Sequence, residues 1–148
     1  MRRFTIALFV TLFALVGVVT SGQQKMSLEE YAKLMKSNAQ ANAALAKAID
    51  SASYADALAQ IRILRENFLA LRPFWEERKH NDATTIVQDG LTRLYIMEWL
   101  LDRPTAMISQ ATALAAAKEL APNVCGACHK VYREGTNQTG FKFKEGVF

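Results

Sequence analysis

The chain has 148 residues, of which 51% are hydrophobic and 22% charged, and 18 basic against 14 acidic side chains leave a formal net charge of +4. This composition excludes a disordered or fibrous chain, and two cysteines cannot frame a cystine-rich miniature fold. The sequence pI of about 9.2 is no nucleic-acid signature, because half of the net excess sits at Arg2 and Arg3.

Arg2 and Arg3 stand before an apolar run from Phe4 through Val19, followed by Thr20-Ser21-Gly22. A basic start, an apolar segment and a small-residue end predict a secretory signal peptide over residues 1–22, removed on export. The run approaches the length of a membrane anchor. No basic stop-transfer cluster follows it, however, and no cysteine directly after it offers a site for lipid. Arg2 and Arg3 are the only charged side chains in this segment, so its removal takes the formal charge from +4 to +2. The remainder, residues 23–148, is expected to form one periplasmic domain with its own core.

Helical signals then follow one another. Ser27-Leu28-Glu29-Glu30 is a capping box, and Leu28, Tyr31, Met35, Leu45 and Ile49 recur at helical spacing to about Asp50. A second helix is expected after Ser51 or Ser53, with Leu58, Ile61, Leu64, Phe68 and Leu71 on one face, and Pro73 predicts a break or kink in it. Asn81 and Asp82 are candidate caps of a third helix that turns Ile86, Leu94, Met97 and Leu101 inward; Gly90 marks a weak point or a close approach. Asp102-Arg103-Pro104 resets the chain, and a fourth helix is expected from Thr105 toward Arg133, kinked at Pro122 or followed by a short separate helix. Its alanines 111, 113 and 115–117 would admit a close neighbour, although alanine is also simply the best helix former. Only Phe141-Lys142-Phe143-Lys144 alternates like a strand. Four helices with short connections predict an all-α, antiparallel four-helix bundle.

Near the end of the fourth helix stands Cys125-Gly126-Ala127-Cys128-His129, which uses both cysteines and one of the two histidines. In a C-x-x-C-H run the two thiols can add to the vinyl groups of a haem, and the adjacent His is placed to bind its iron. A thiol–disulfide redox pair would sit in a βαβ setting that the sequence lacks. A structural zinc site needs four ligands, and beyond these three only His80 remains as an N or S donor. Export and covalent haem support each other, since c-type haem is attached after export. His80, in the polar run Lys79-His80-Asn81-Asp82, reads as a solvent-exposed loop residue.

A signal peptide, four helices and a C-x-x-C-H at the end of the last resemble the class II c-type cytochromes, the cytochrome c′ family. Tyr31-Ala32-Lys33-Leu34-Met35-Lys36-Ser37 resembles the first-helix segment of its low-spin, methionine-ligated members. Phe74-Trp75, Cys125 through Arg133 and the Gly140-Phe141-Lys142-Phe143-Lys144 tail also resemble the corresponding regions, so the likeness spans about residues 27–144. It implies one covalent haem c held by Cys125 and Cys128, His129 as proximal iron ligand and Met35 as distal ligand. His/Met ligation stabilises the reduced iron and suits electron transfer. Met97 and Met107 are rival thioethers, and Met26 lies just before the first cap.

The expected function is therefore a periplasmic monohaem carrier of single electrons between redox partner proteins. It is not an enzyme, and it binds neither nucleic acid nor, once processed, a membrane. Relatives of the fold often pair through their first two helices, so a homodimer fits the resemblance. If Met35 leaves the iron free, the alternative is a five-coordinate protein that binds NO or CO. Peroxide chemistry ranks last, because no His or Arg lies between Ser27 and Asp50 to serve as a distal acid or base. Lys130, Arg133, Lys142 and Lys144 gather near the motif as an ordinary solvated face, a docking face for an acidic partner or partners of the haem propionates. Asn38 and Asn42 continue the Met35 face and are expected at its wet edge.

Overall fold

The computed structural model describes residues 25–103, 107–136 and 139–148, with the side chains of 107–109 excepted. The signal peptide expected over residues 1–22 lies outside these residues. The described chain is all-α with one small hairpin: α1 Leu28–Asp50, α2 Tyr54–Glu77, α3 Asn81–Leu101, α4 Met107–Lys118, a π-turn Ala121–Cys125, α5 Gly126–Tyr132, β1 Arg133–Thr136 and β2 Gly140–Phe143. Among the described residues no helix is long and apolar enough to cross a membrane.

The capping box opens α1 as its sequence requires. Ser27 Oγ accepts from the Glu30 amide at 3.2 Å while Glu30 Oε2 accepts from the Ser27 amide at 2.7 Å. Two residues beyond the ends of α1 and α2 the backbone turns left-handed, at Ala52 with φ 50° and at Lys79 with φ 59°. In each case the next amide returns to a carbonyl of the last turn, Ser53 to Ala48 at 2.8 Å and His80 to Trp75 at 3.2 Å. That geometry reverses the chain in three residues, at a backbone cost of about 1–2 kcal/mol for a residue with a Cβ.

α1 packs on α2 and α4, α2 on α3, and α3 on α4. The core between them holds Leu45, Ile61, Leu64, Leu71, Phe74, Leu91, Leu94, Met97, Leu120 and Val124. Leu28 is an exception to the predicted face: it is exposed, because a side chain in the first turn leans beyond the helix end, where nothing covers it. Pro73 does not break α2, which runs on to Glu77. Its ring removes only the donor to the Leu69 carbonyl, and Leu69 lies at the surface. Nor do Asn81 and Asp82 cap α3. His80 holds that position without a side-chain cap bond, and Asp82 sits in the first turn, where a carboxylate still suits the helix dipole.

Gly90 is a close-approach site. A Cβ there would meet the Phe68 ring at 2.5 Å and Val124 Cγ1 at 2.8 Å. Glycine thus lets α3 lie directly against α2 and the π-turn. The alternating tail forms β2, antiparallel to β1 with Arg133 opposite Phe143 and Glu134 opposite Lys142, and Lys142 Nζ reaches Glu134 at 3.1 Å.

Candidate functional site

The predicted fourth helix arrives in three pieces, and the break has a geometric reason. Leu120, Val124, Cys128 and Tyr132 follow at four-residue steps on the inward side. In an unbroken α-helix each step of four would drift about 40° around the axis. The π-turn takes up that drift: Pro122 lies in its first two positions, and the Gly126 amide reaches back five residues to the Ala121 carbonyl. The wide turn ends on Cys125, and α5 carries Cys128 and His129.

These three residues line a cavity of about 300 Å³. From α1 come Tyr31, Met35, Asn38, Ala39 and Asn42; from α2, Phe68, Leu71 and Trp75; from α3, Ile86 and Val87; Val124 and Arg133 complete it. The structure thus brings Met35 to the same cavity as the C-x-x-C-H run, although the two stand at opposite ends of the folded chain. Neither Met97 nor Met26 joins them. Met97 is a fully buried core residue of α3 outside the lining, and Met26 borders a different depression, between α1 and α2. The Met107 side chain lies outside the described residues.

Burial sets the chemistry of the donors. It raises the Cys125 thiol, and together with the neighbouring Cys125 and Asp82 it pushes Cys128 up to about 11, so both are neutral thiols at physiological pH. Both are free. Burial, with the Arg133 guanidinium adding to it, lowers His129, which favours the neutral imidazole that a metal needs. The donor set is two thiols and an imidazole on one segment with a thioether on α1, between apolar walls. That set fits a covalently held haem. Among the described residues no group of three or more His, Cys, Asp or Glu is arranged to hold a bare metal ion.

Two expectations about polar residues fail. His80 is half-buried: its Nε2 lies 2.8 Å from the Val147 carbonyl, and its ring meets Trp75 and Tyr132 edge-on at 5.6 and 5.5 Å. The tail folds back over it, which a local polar run could not reveal. Asn38 is buried rather than at a wet edge, its Oδ1 accepting from Asn67 Nδ2 at 2.9 Å. Its partner stands on α2, so helix periodicity alone carried no signal for the pair. Asn42 is half-buried.

An aromatic cluster closes one end of the cavity. Tyr31 stacks obliquely on Phe74 at 4.4 Å and on Phe143 at 5.1 Å, and Trp75 packs on Tyr132 at 4.8 Å. Tyr31 and Trp75 belong to both cluster and cavity. The Tyr132 hydroxyl is buried beside Asp82 without closing a well-formed hydrogen bond. Burial raises it to about 12, and the hydroxyl in turn lowers the Asp82 carboxyl. Arg133, at the start of β1, lies with its guanidinium 3.7 Å from the Phe141 ring centre.

Comparison with known proteins finds no matching family model, no matching curated protein and no matching solved structure.

Proposed function

We propose that this chain is an exported electron carrier of the class II c-type cytochrome kind, an antiparallel four-helix bundle with one haem bound through Cys125 and Cys128. The observation that carries this reading is the shared cavity of Met35, Cys125, Cys128 and His129. When bound, the haem would supply a one-electron Fe(III)/Fe(II) couple. The protein's own part is to hold and tune it. Cys125 and Cys128 would hold the macrocycle through their thiols. His129, kept neutral by burial, would hold the iron through a ring nitrogen, with Met35 as the second ligand through its thioether. Phe68, Leu71, Ile86, Val87 and Val124 exclude water, which disfavours the more highly charged oxidised state. Redox partner proteins would take and give the electron.

The optical spectrum of the exported protein tests this directly, oxidised and reduced, with and without NO. Low-spin bands with the weak long-wavelength thioether absorption are expected, and Met35→Ala is expected to convert them to high-spin bands. High-spin bands in the unmodified protein that shift promptly with NO would replace the carrier by a five-coordinate gas binder. Absence of covalent haem would end both readings.

A further inference from the structure

We infer that Asn67 is a positioning residue for Met35: from α2 it clamps the turn of α1 that carries the thioether. The inference rests on the His/Met reading above. Asn67 Nδ2 donates to Ser37 Oγ and to Asn38 Oδ1, both at 2.9 Å. These acceptors stand two and three residues after Met35, so one amide ties the following turn of α1 to α2. Asn38 is the only buried polar residue of the described chain, at 8% exposed. A buried amide in an apolar wall is retained only where its bonds are made, and leaving its acceptor unpaired is costly.

The neighbourhood explains why a clamp is needed at this place. Met35 is half-buried, and on the outer side of α1 Leu34, Ser37 and Asn67 border a second depression of about 560 Å³. Dense packing therefore does not fix this turn as it fixes Leu45 further along α1. α2 is itself immobilised one residue on, where Phe68 lies against Gly90 with no room for a methyl group. Asn67 thus transmits a fixed reference, the α2–α3 contact, to the helix that bears the ligand. A flexible methionine side chain reaches its metal only from a backbone held at the right depth. Loss of the clamp lets α1 ride outward and loosens the thioether.

Carbon monoxide reports this competition, because it binds ferrous iron only when the thioether leaves. Equilibrium titration of the reduced holoprotein with CO is expected to show Asn67→Leu binding CO about tenfold more tightly than the unmodified protein, a factor at the low end of what two lost hydrogen bonds correspond to. In a Met35→Ala background the same substitution should leave CO affinity unchanged, since nothing remains to position. Asn67→Asp, which can accept from Ser37 and from a turned Asn38 amide, should restore most of the original affinity. Equal effects of Asn67→Leu in both backgrounds, or none in either, would overturn the clamp and leave His/Met ligation standing. Should the unmodified protein bind CO as tightly as Met35→Ala, ligation itself fails and the clamp with it. If Asn67→Leu does not accumulate, Ser37→Ala removes one of the two bonds and is expected to act in the same direction with smaller size.

Discussion

The aromatic end and the hollow of about 300 Å³ beside it are built by the same helices and share Tyr31 and Trp75, yet one is filled and the other open. At the aromatic end the chain supplies its own occupants: Phe74, Tyr132 and Phe143 close around the shared pair, and the tail brings Phe148 and the Val147 carbonyl to Trp75 and His80. One turn along α1, Met35 and Asn38 face thiols and an imidazole across space no side chain fills. Core packing and site formation are therefore separable here. The cluster sets the depth of α1, α2 and α5 against one another, and the hollow inherits its shape from that frame.

The sharpest way to break the comparison is to disable the hollow alone. Cys125→Ala combined with Cys128→Ala is expected to abolish covalent haem, with none retained after acid–acetone extraction, while far-ultraviolet circular dichroism still reports a helical chain. Disabling the frame should act in the opposite order. Trp75→Ala removes a fully buried arene shared by both regions and is expected to lower stability by about 3–5 kcal/mol, read by urea unfolding, with haem ligation disturbed as a consequence.

A smaller effect falls on the boundary. Gly90→Ala places a Cβ against the side chains of Phe68 and Val124, and a contact this close costs about 1–3 kcal/mol by overpacking, against a gain of up to about 1 kcal/mol in helix propensity. A net loss of stability and a shifted haem absorption are expected together, because both neighbours line the hollow. The smallest effect concerns pH. In the haem-free chain His129 is lowered below the ordinary imidazole value of about 6.5, so the unfolded state takes up its proton first. Stability is then fully present above pH about 6.5 and declines as pH falls through it. Urea midpoints measured between pH 7.5 and 5 should show a decline that His129→Gln reduces.

Most of this organisation could be read from the residues. The capping box placed the start of α1 at Ser27, helical periodicity found the inward faces of α2 and α3, and alternation found the strand at Phe141. The C-x-x-C-H run is local and Met35 lies on the inward stripe of an amphipathic helix, but only the family resemblance pairs the two, which line one cavity. What escaped was long-range. Nothing in the neighbourhood of His80 announces Val147, and nothing near Asn38 announces Asn67. Pro73 does not end α2, because proline's cost depends on whether its freed carbonyl meets water, which sequence does not say. Pro122 pointed to an irregularity, but only the four-residue spacing of the inward side chains explains why it is a widened turn rather than a stop.

That widened turn makes the direction of the motif a matter of residue count more than of residue identity. Wound as an ordinary α-helix, residues 121–125 would swing everything after them by about 100°, carrying Cys128 and His129 off the inward side. A one-residue deletion in 121–124 would remove the irregularity and the swing together, leaving the motif facing as before. A one-residue insertion would not. The segment before Cys125 should therefore tolerate changes at its exposed side chains and a shortening by one, while a lengthening by one turns the thiols away.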